Sequence, residues 1–332
     1  MHPSDDSRPH DRAQTEPPHS GDATLAPPVV STLAPALVPA LAPAVAILMI
    51  IATGFLLAGM DVTAKYLAQS LPVLVVLWGR YVFHTVLTFS VYSVKHRSFA
   101  FLRARRPGLQ AIRAGALFGA TSFMYVALTM MPLGDAAAIQ FLAPVLVTVF
   151  SGLFLGETVG PRRIAAVVAA FIGVVLVARP GSDVLGWAAL LPLVTAVMLA
   201  IYMLMTRIIR TKDDPDATTF YSTALGALAL SGAVALVDPT FWQTLSAVQW
   251  GLMLTMGLAG ACGHFLLVKA FHSAEASMLA PFTYAQVVGA IVWGLVVFGD
   301  VPSAWTASGA SLIIFSGVYV WYRETWVLRK RR

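Results

Sequence analysis

The chain holds a single cysteine, Cys262, in 332 residues. That excludes a disulfide framework and any metal or iron–sulfur site built from several thiolates. Lying in an apolar run, Cys262 itself reads as a small packing residue. Charge is scarce as well. Asp, Glu, Lys and Arg make up 11% of the residues and apolar types 58%, where an ordinary soluble domain has about 25% charged residues. So few polar groups cannot cover a globular surface, which excludes a cytosolic enzyme. The formal charge of +6 is scattered over loops and forms no basic face, so no nucleic-acid partner is expected. Catalytic signatures are also missing. The sequence has no His-Glu-x-x-His of a zinc protease and no Gly-x-Ser-x-Gly of a serine hydrolase. His264 and His272 have no acid at a matching spacing. No charged ring or repeated filter marks a channel, and the N-terminal segment is too short and polar for a signalling domain. No enzymatic activity, metal or cofactor is expected.

What the chain has instead is apolar runs. A helix needs roughly 20 mostly apolar residues to cross a bilayer, and ten such runs occur, at 45–67, 72–94, 109–130, 134–156, 161–178, 184–208, 217–237, 248–270, 276–298 and 303–322. The breaks carry proline and glycine turns, among them Met131-Pro132-Leu133-Gly134, Gly160-Pro161 and Asp213-Asp214-Pro215. The links are short, so neighbouring spans should be antiparallel. Cytoplasmic loops of membrane proteins are enriched in Lys and Arg. With the N-terminus inside, all 22 basic residues except Lys65, Arg80 and Arg179 fall on the cytoplasmic side, so both termini are expected there. Residues 1–43 read as a disordered, acidic and proline-rich cytoplasmic tail without a signal peptide. Residues 324–332 read as a short basic cytoplasmic tail.

The two halves resemble each other. Residues 155–179 and 298–323 both run through an apolar residue, a glycine and an acid, then a turn, an apolar helix with a late glycine (Gly173, Gly317) and a closing arginine. Gly156 and Gly299 are 143 residues apart. The expectation is an all-α integral membrane protein with ten transmembrane helices, as two five-helix repeats over 44–181 and 182–323. Five is odd, so the copies enter the membrane in opposite senses, and inverted repeats are a signature of secondary transporters.

Particular residues carry a likeness to a known family. They are Gly156-Glu157, Gly299-Asp300, the stretch Met60–Lys65, Trp78-Gly79-Arg80-Tyr81, and above all 277–303, with its Pro281-Phe282-x-Tyr284-x-Gln286. The chain resembles the drug/metabolite transporter superfamily, in its ten-span group with two EamA-type repeats, over nearly all of 44–324. Asp300 stands where that family commonly has Glu. The 281–286 stretch is similar to bacterial members that take up riboflavin or S-adenosylmethionine. The resemblance implies two inverted bundles around a central cavity, lined by spans one, three, four, six, eight and nine with span two nearby. It also implies a multi-pass protein of the bacterial inner membrane with a small-molecule substrate; a homodimer is left open.

Arg80 is the sharpest candidate for substrate binding. A charge at the bilayer centre costs about 2.5–3.5 kcal/mol on insertion scales, so it must face a cavity or a partner. His84 lies one turn on and shares its face, although a lone histidine there is more often a packing residue. Gln140, among small residues in span four, and Tyr284 and Gln286, after Pro281 in span nine, are further binding candidates. Asp61 and Lys65, one turn apart, read as a local ion pair, with gating or coupling as the functional alternative. Glu157 and Asp300 read as caps of the next helix. The expected function is a secondary transporter working by alternating access. Riboflavin uptake leads, because aromatic and amide groups suit a flat ring. S-adenosylmethionine uptake is the alternative, disfavoured because few acids lie in the interior, and an amino-acid or drug exporter is a third option.

Overall fold

The computed structural model describes residues 38–97, 99–155, 161–179, 186–209, 213–274 and 276–322. The Gly156-Glu157 turn, most of the acidic tail and the basic tail lie outside them. Every regular element among the described residues is helical. In chain order they are α1 (Val38–Leu67), α2 (Val73–His96), α3 (Pro107–Leu128), α4 (Leu133–Gln140), α5 (Ala143–Leu155), α6 (Pro161–Ala178) and α7 (Leu190–Ile209). Then follow α8 (Pro215–Val234), α9 (Phe241–Thr244), α10 (Ala247–Ser273), α11 (Ala276–Leu279), α12 (Ala285–Phe298) and α13 (Ala304–Tyr322), with a 3-10 turn at Ala280–Tyr284 between α11 and α12. Among the described residues eight stretches are long and apolar enough to cross a bilayer, and Ile164–Ala178 is a shorter apolar helix.

Local chemistry sets the boundaries. Pro107 and Pro215 open α3 and α8, where a missing N–H costs nothing. The Asp214 side chain accepts from the backbone N–H groups of Asp216 and Ala217, and Ser246 with Gln249 forms a capping box on α10. Gly299, at φ +70°, closes α12, a left-handed conformation that favours glycine. Two expected spans are broken within the membrane. The fourth is interrupted at Phe141-Leu142, just before Pro144, which has no N–H to give the carbonyl of Gln140. The ninth is interrupted by the 3-10 turn containing Pro281.

The helices pack mainly as α3 on α7, α6 on α13, and α2 between α8 and α10. The α6–α13 crossing depends on two glycines whose backbones meet. A Cβ on Gly173 would stand 2.7 Å from the Gly309 carbonyl oxygen, and a Cβ on Gly309 would meet the Gly173 carbonyl in return. Small residues give helices this close approach in lipid. A similar contact sets α1 against α12, where a Cβ on Gly54 would lie 2.7 Å from the Gln286 nitrogen. That contact brings Gln286 beside the middle of α1.

Candidate functional site

A cavity of about 280 Å³ lies inside the bundle. Its wall comes from α1, α2, α3, the α4–α5 break, α7, α10, the Ala280–Tyr284 turn and α12; α6, α8, α9 and α13 contribute none of its residues. It runs from the level of Asp61 and Arg80 toward Ile50, Met203, His264 and Leu267, near the end of the bundle where α1 starts and α7 ends. Both helix breaks open onto it, through Gln140 and Pro144 on one side and Thr283 on the other. Irregular backbone at membrane depth is tolerated where it lines such a cavity.

Of the sequence-derived candidates, Asp61, Arg80, Gln140 and Gln286 line the cavity. Arg80 is 8% exposed, makes no ion pair with any described residue, and has the Tyr125 hydroxyl as its polar neighbour. Its guanidinium sits over the rings of Tyr81 and Tyr125, at 5.3 and 5.4 Å from their centroids. Cation–π contact contributes about 0.5–2 kcal/mol, and no carboxylate among the described residues pairs with the guanidinium. The Tyr81 hydroxyl is held by Thr121 at 3.1 Å, fixing one of those rings. The Tyr125 hydroxyl is buried, with the Arg80 guanidinium as its polar neighbour. Asp61, also 8% exposed, is engaged by the Gln286 amide and feels the Arg80 charge, yet the two do not close an ion pair.

The other three candidates lie outside the cavity wall. Lys65 is not paired with Asp61. Its Nζ bonds Asp300 at 2.8 Å and the Met131 carbonyl at 3.2 Å, because α1 ends beside the turn that follows α12. Asp300 is accordingly not the cap of α13; that role falls to Ser303, whose Oγ accepts from the Thr306 N–H at 3.1 Å. His84 is buried behind the wall, its ring 5.3 Å from that of His264, and it is His264 that reaches the cavity. Tyr284 is buried with its ring 5.4 Å from Phe141 and its hydroxyl against Gly317, with no hydrogen-bond partner. Cys262 is exposed on the outer surface, in a groove between α1, α10 and α12, not packed in the core. The apolar run showed that α10 belongs in lipid but not which face it turns to lipid.

Sequence reasoning missed three features. Thr53 and His264 join the cavity wall with no local signal beyond their polarity, beside Tyr202, an aromatic residue able to stack on a flat ring. At the end bearing Lys65, Arg179 donates to Ser303 and Thr306, and Asp135 lies within the electrostatic reach of Thr306, Arg179, Asp300 and Lys65. At the opposite end Arg113, 4% exposed, donates to Thr206, Tyr202, Ser222 and the Thr218 carbonyl at 2.6–2.8 Å. Gln110 bonds Asp213 and Thr218 at 2.9 Å each, and Lys95 pairs with Asp216 at 2.5 Å. Two polar networks therefore tie the helices together, one above and one below an apolar-walled cavity that holds two unpaired charges.

The sequence profile of the EamA-like transporter family matches residues 44–179 and again 186–322. An S-adenosylmethionine uptake transporter of Rickettsia bellii is 27% identical over 274 residues, covering 82% of this chain and 91% of that one. A riboflavin transporter of Rhizobium johnstonii is 29% identical over 241 residues, covering 71% and 77%. A solved crystal structure, 18% identical, has the same fold with a TM-score of 0.60 over 86% of this chain and 98% of its own.

Proposed function

This chain belongs to the EamA-like transporter family, within the drug/metabolite transporter superfamily, and from that premise we propose that it carries a small organic metabolite across the bacterial inner membrane by alternating access. It is a multi-pass membrane protein with a transporter's role, not an enzyme's. The observation that carries the reading is the central cavity, where Arg80 and Asp61 stand nine-tenths buried with no ion pair between them. A charge kept at membrane depth without a partner marks a substrate or ion pathway.

Ten spans in two inverted repeats, over 44–181 and 182–323 with both termini cytoplasmic, account for the architecture. Phe141 and Tyr284 support this. They are 143 residues apart, the same interval as Gly156 and Gly299. Each sits at the break of its helix, and their rings touch. Such a contact is expected where two copies meet at the axis that relates them. In this orientation the Lys65–Asp300 network closes the outer end and the cavity runs toward the cytoplasm. Lys65 is then a gating residue, Asp61 a coupling or binding residue, and Arg80, Gln140 and Gln286 binding residues. His84 and Tyr284 shape the wall from behind.

Riboflavin and S-adenosylmethionine are the two substrate readings. Gln140 and Gln286 with Phe141 and Tyr202 suit the flat, hydrogen-bonding ring of riboflavin. Asp61 at the cavity supplies the carboxylate whose scarcity counted against the cationic alternative. Purified protein in liposomes tests the carrier reading: saturable uptake of labelled riboflavin or of labelled S-adenosylmethionine, above that of empty liposomes, is expected. Folded protein that moves neither would sink it.

A further inference from the structure

We propose that the loop between α2 and α3 docks the headgroups of anionic phospholipids, with Arg97, Arg103, Arg105 and Arg106 on the phosphates and Phe99 at the acyl boundary. Both flanking helices are long and apolar enough to cross a bilayer, so the short stretch joining them lies at the membrane surface. The chain has no acid between Asp61 and Asp135, so no carboxylate in this part of the sequence offsets the loop's charge. The acids that reach the loop come from the start of α8, and they are already engaged. Asp213 accepts from the Arg105 backbone N–H at 2.6 Å and from the Gln110 amide at 2.9 Å. Asp216 accepts from Lys95 at 2.5 Å and from the His96 ring at 2.7 Å, and Asp214 caps α8. The four arginines are exposed and form no ion pair with any described residue.

The loop is pinned to the bundle. Phe101, 2% exposed, sets its ring among those of Phe89, Tyr92, His96 and Phe220, with centroids 5.7–5.9 Å apart. The Tyr221 hydroxyl donates to the Leu102 carbonyl at 2.6 Å. Arginines on a fixed loop lose less freedom on meeting a headgroup than arginines on a free tail. Arg97 closes α2 in a left-handed conformation, at φ +49°, where glycine is the usual residue. An arginine there keeps a charge at the surface at the expense of backbone ease. Phe99 is 64% exposed and Val94 78%. Exposed apolar side chains among unpaired cations suit the headgroup layer, where rings meet the acyl boundary and cations reach phosphate. A soluble acidic partner would satisfy the arginines but offers Phe99 no apolar phase. A zwitterionic headgroup carries its own ammonium beside the phosphate, so it leaves the arginines less well matched than an anionic one. Each basic residue near an anionic surface strengthens binding about fivefold.

The test uses the full chain in a neutral detergent. Phosphatidylglycerol or phosphatidylcholine with the same acyl chains is titrated in, and bound lipid is counted by native mass spectrometry. Phosphatidylglycerol should bind at least about tenfold more tightly, and the preference should shrink as ionic strength rises. Replacing Arg97, Arg103, Arg105 and Arg106 together by Gln should abolish the preference. The same change at Arg329, Lys330, Arg331 and Arg332 removes as much charge from the C-terminal end and should leave it. Arg103→Gln with Arg106→Gln should remove about half of the preference on a logarithmic scale, and this milder variant decides the matter where the fourfold one fails to fold. Phe99→Ser should weaken both lipids alike. Equal binding of the two lipids by the unaltered protein would overturn the proposal, as would a preference that survives the loop substitutions or vanishes with those at 329–332. Displacement of the lipid by an equal concentration of soluble glycerophosphoglycerol would also overturn it, by showing a site for phosphate alone. None of these outcomes bears on the carrier reading, which uptake into liposomes tests separately.

Discussion

Replacing Asp300 with Asn should open the outer end of the protein. The Lys65 ammonium sits 2.8 Å from the Asp300 carboxylate, with side chains 14% and 26% exposed. Fully exposed pairs contribute about 0.2–1 kcal/mol, and breaking a fully buried pair costs about 3–5 kcal/mol. This pair lies between, near the roughly 1.5–3 kcal/mol of a hydrogen bond to a charged group. Lys65 is on α1 and Asp300 follows α12, so the contact exists only while those two ends are together. Losing it therefore acts on this conformation and not on one in which the ends have parted, which shifts the ratio of the two by about tenfold to a hundredfold. The native cysteine is exposed, so the assay starts from Cys262→Ser and adds Thr121→Cys on the cavity wall. A membrane-impermeant maleimide applied from outside should label this position at least about tenfold faster when Asp300→Asn is present. Lys65→Met combined with Asp300→Asn should add little more, since one contact is lost in either case. Unchanged labelling from outside would refute the reasoning.

Three further outcomes follow from the packing. Gly173→Ala should lower thermal stability in detergent by about 1–3 kcal/mol, because the new methyl meets a backbone carbonyl on Gly309 that cannot yield; an unchanged melting temperature would show that α6 and α13 cross less closely. Tyr284→Phe should leave uptake and stability nearly unchanged, since the lost hydroxyl is buried without a partner and off the cavity wall; a large loss of uptake would return Tyr284 to the binding site. Arg113→Ala should reduce membrane abundance and melting temperature through a loss of about 3 kcal/mol or more, since four neutral acceptors lose a buried charged donor. Arg113→Lys should rescue it only in part, because an ammonium lacks the planar fork.

The membrane character of the chain and the approximate helix positions were legible in the sequence, because an apolar run of about 20 residues has few other uses. Arg80 was legible for the same reason: a charge inside such a run demands an explanation. The partner of Lys65 was not, since Asp300 is 235 residues away and Asp61, one turn away, is the nearer choice along the helix. The helix break at Ala280–Tyr284 was half visible, because Pro281 frees a backbone carbonyl that needs a cavity or a partner, and the break at Phe141 was not. Which face of α10 meets lipid was not legible at all. The helix is apolar all round, so Cys262 on the outside and His264 on the cavity look alike in the sequence, two residues apart. Arg113 read as one more cytoplasmic charge, because a sequence records the excess of basic residues and not their burial.

The central claim is that Arg80 holds the transported solute. Arg80→Ala tests it directly, with uptake into vesicles and membrane abundance measured on the same preparation. Saturable uptake should be lost while abundance and melting temperature hold, since Arg80 forms no ion pair with any described residue. Uptake that survives the substitution, or a protein that disappears from the membrane with it, would contradict the claim.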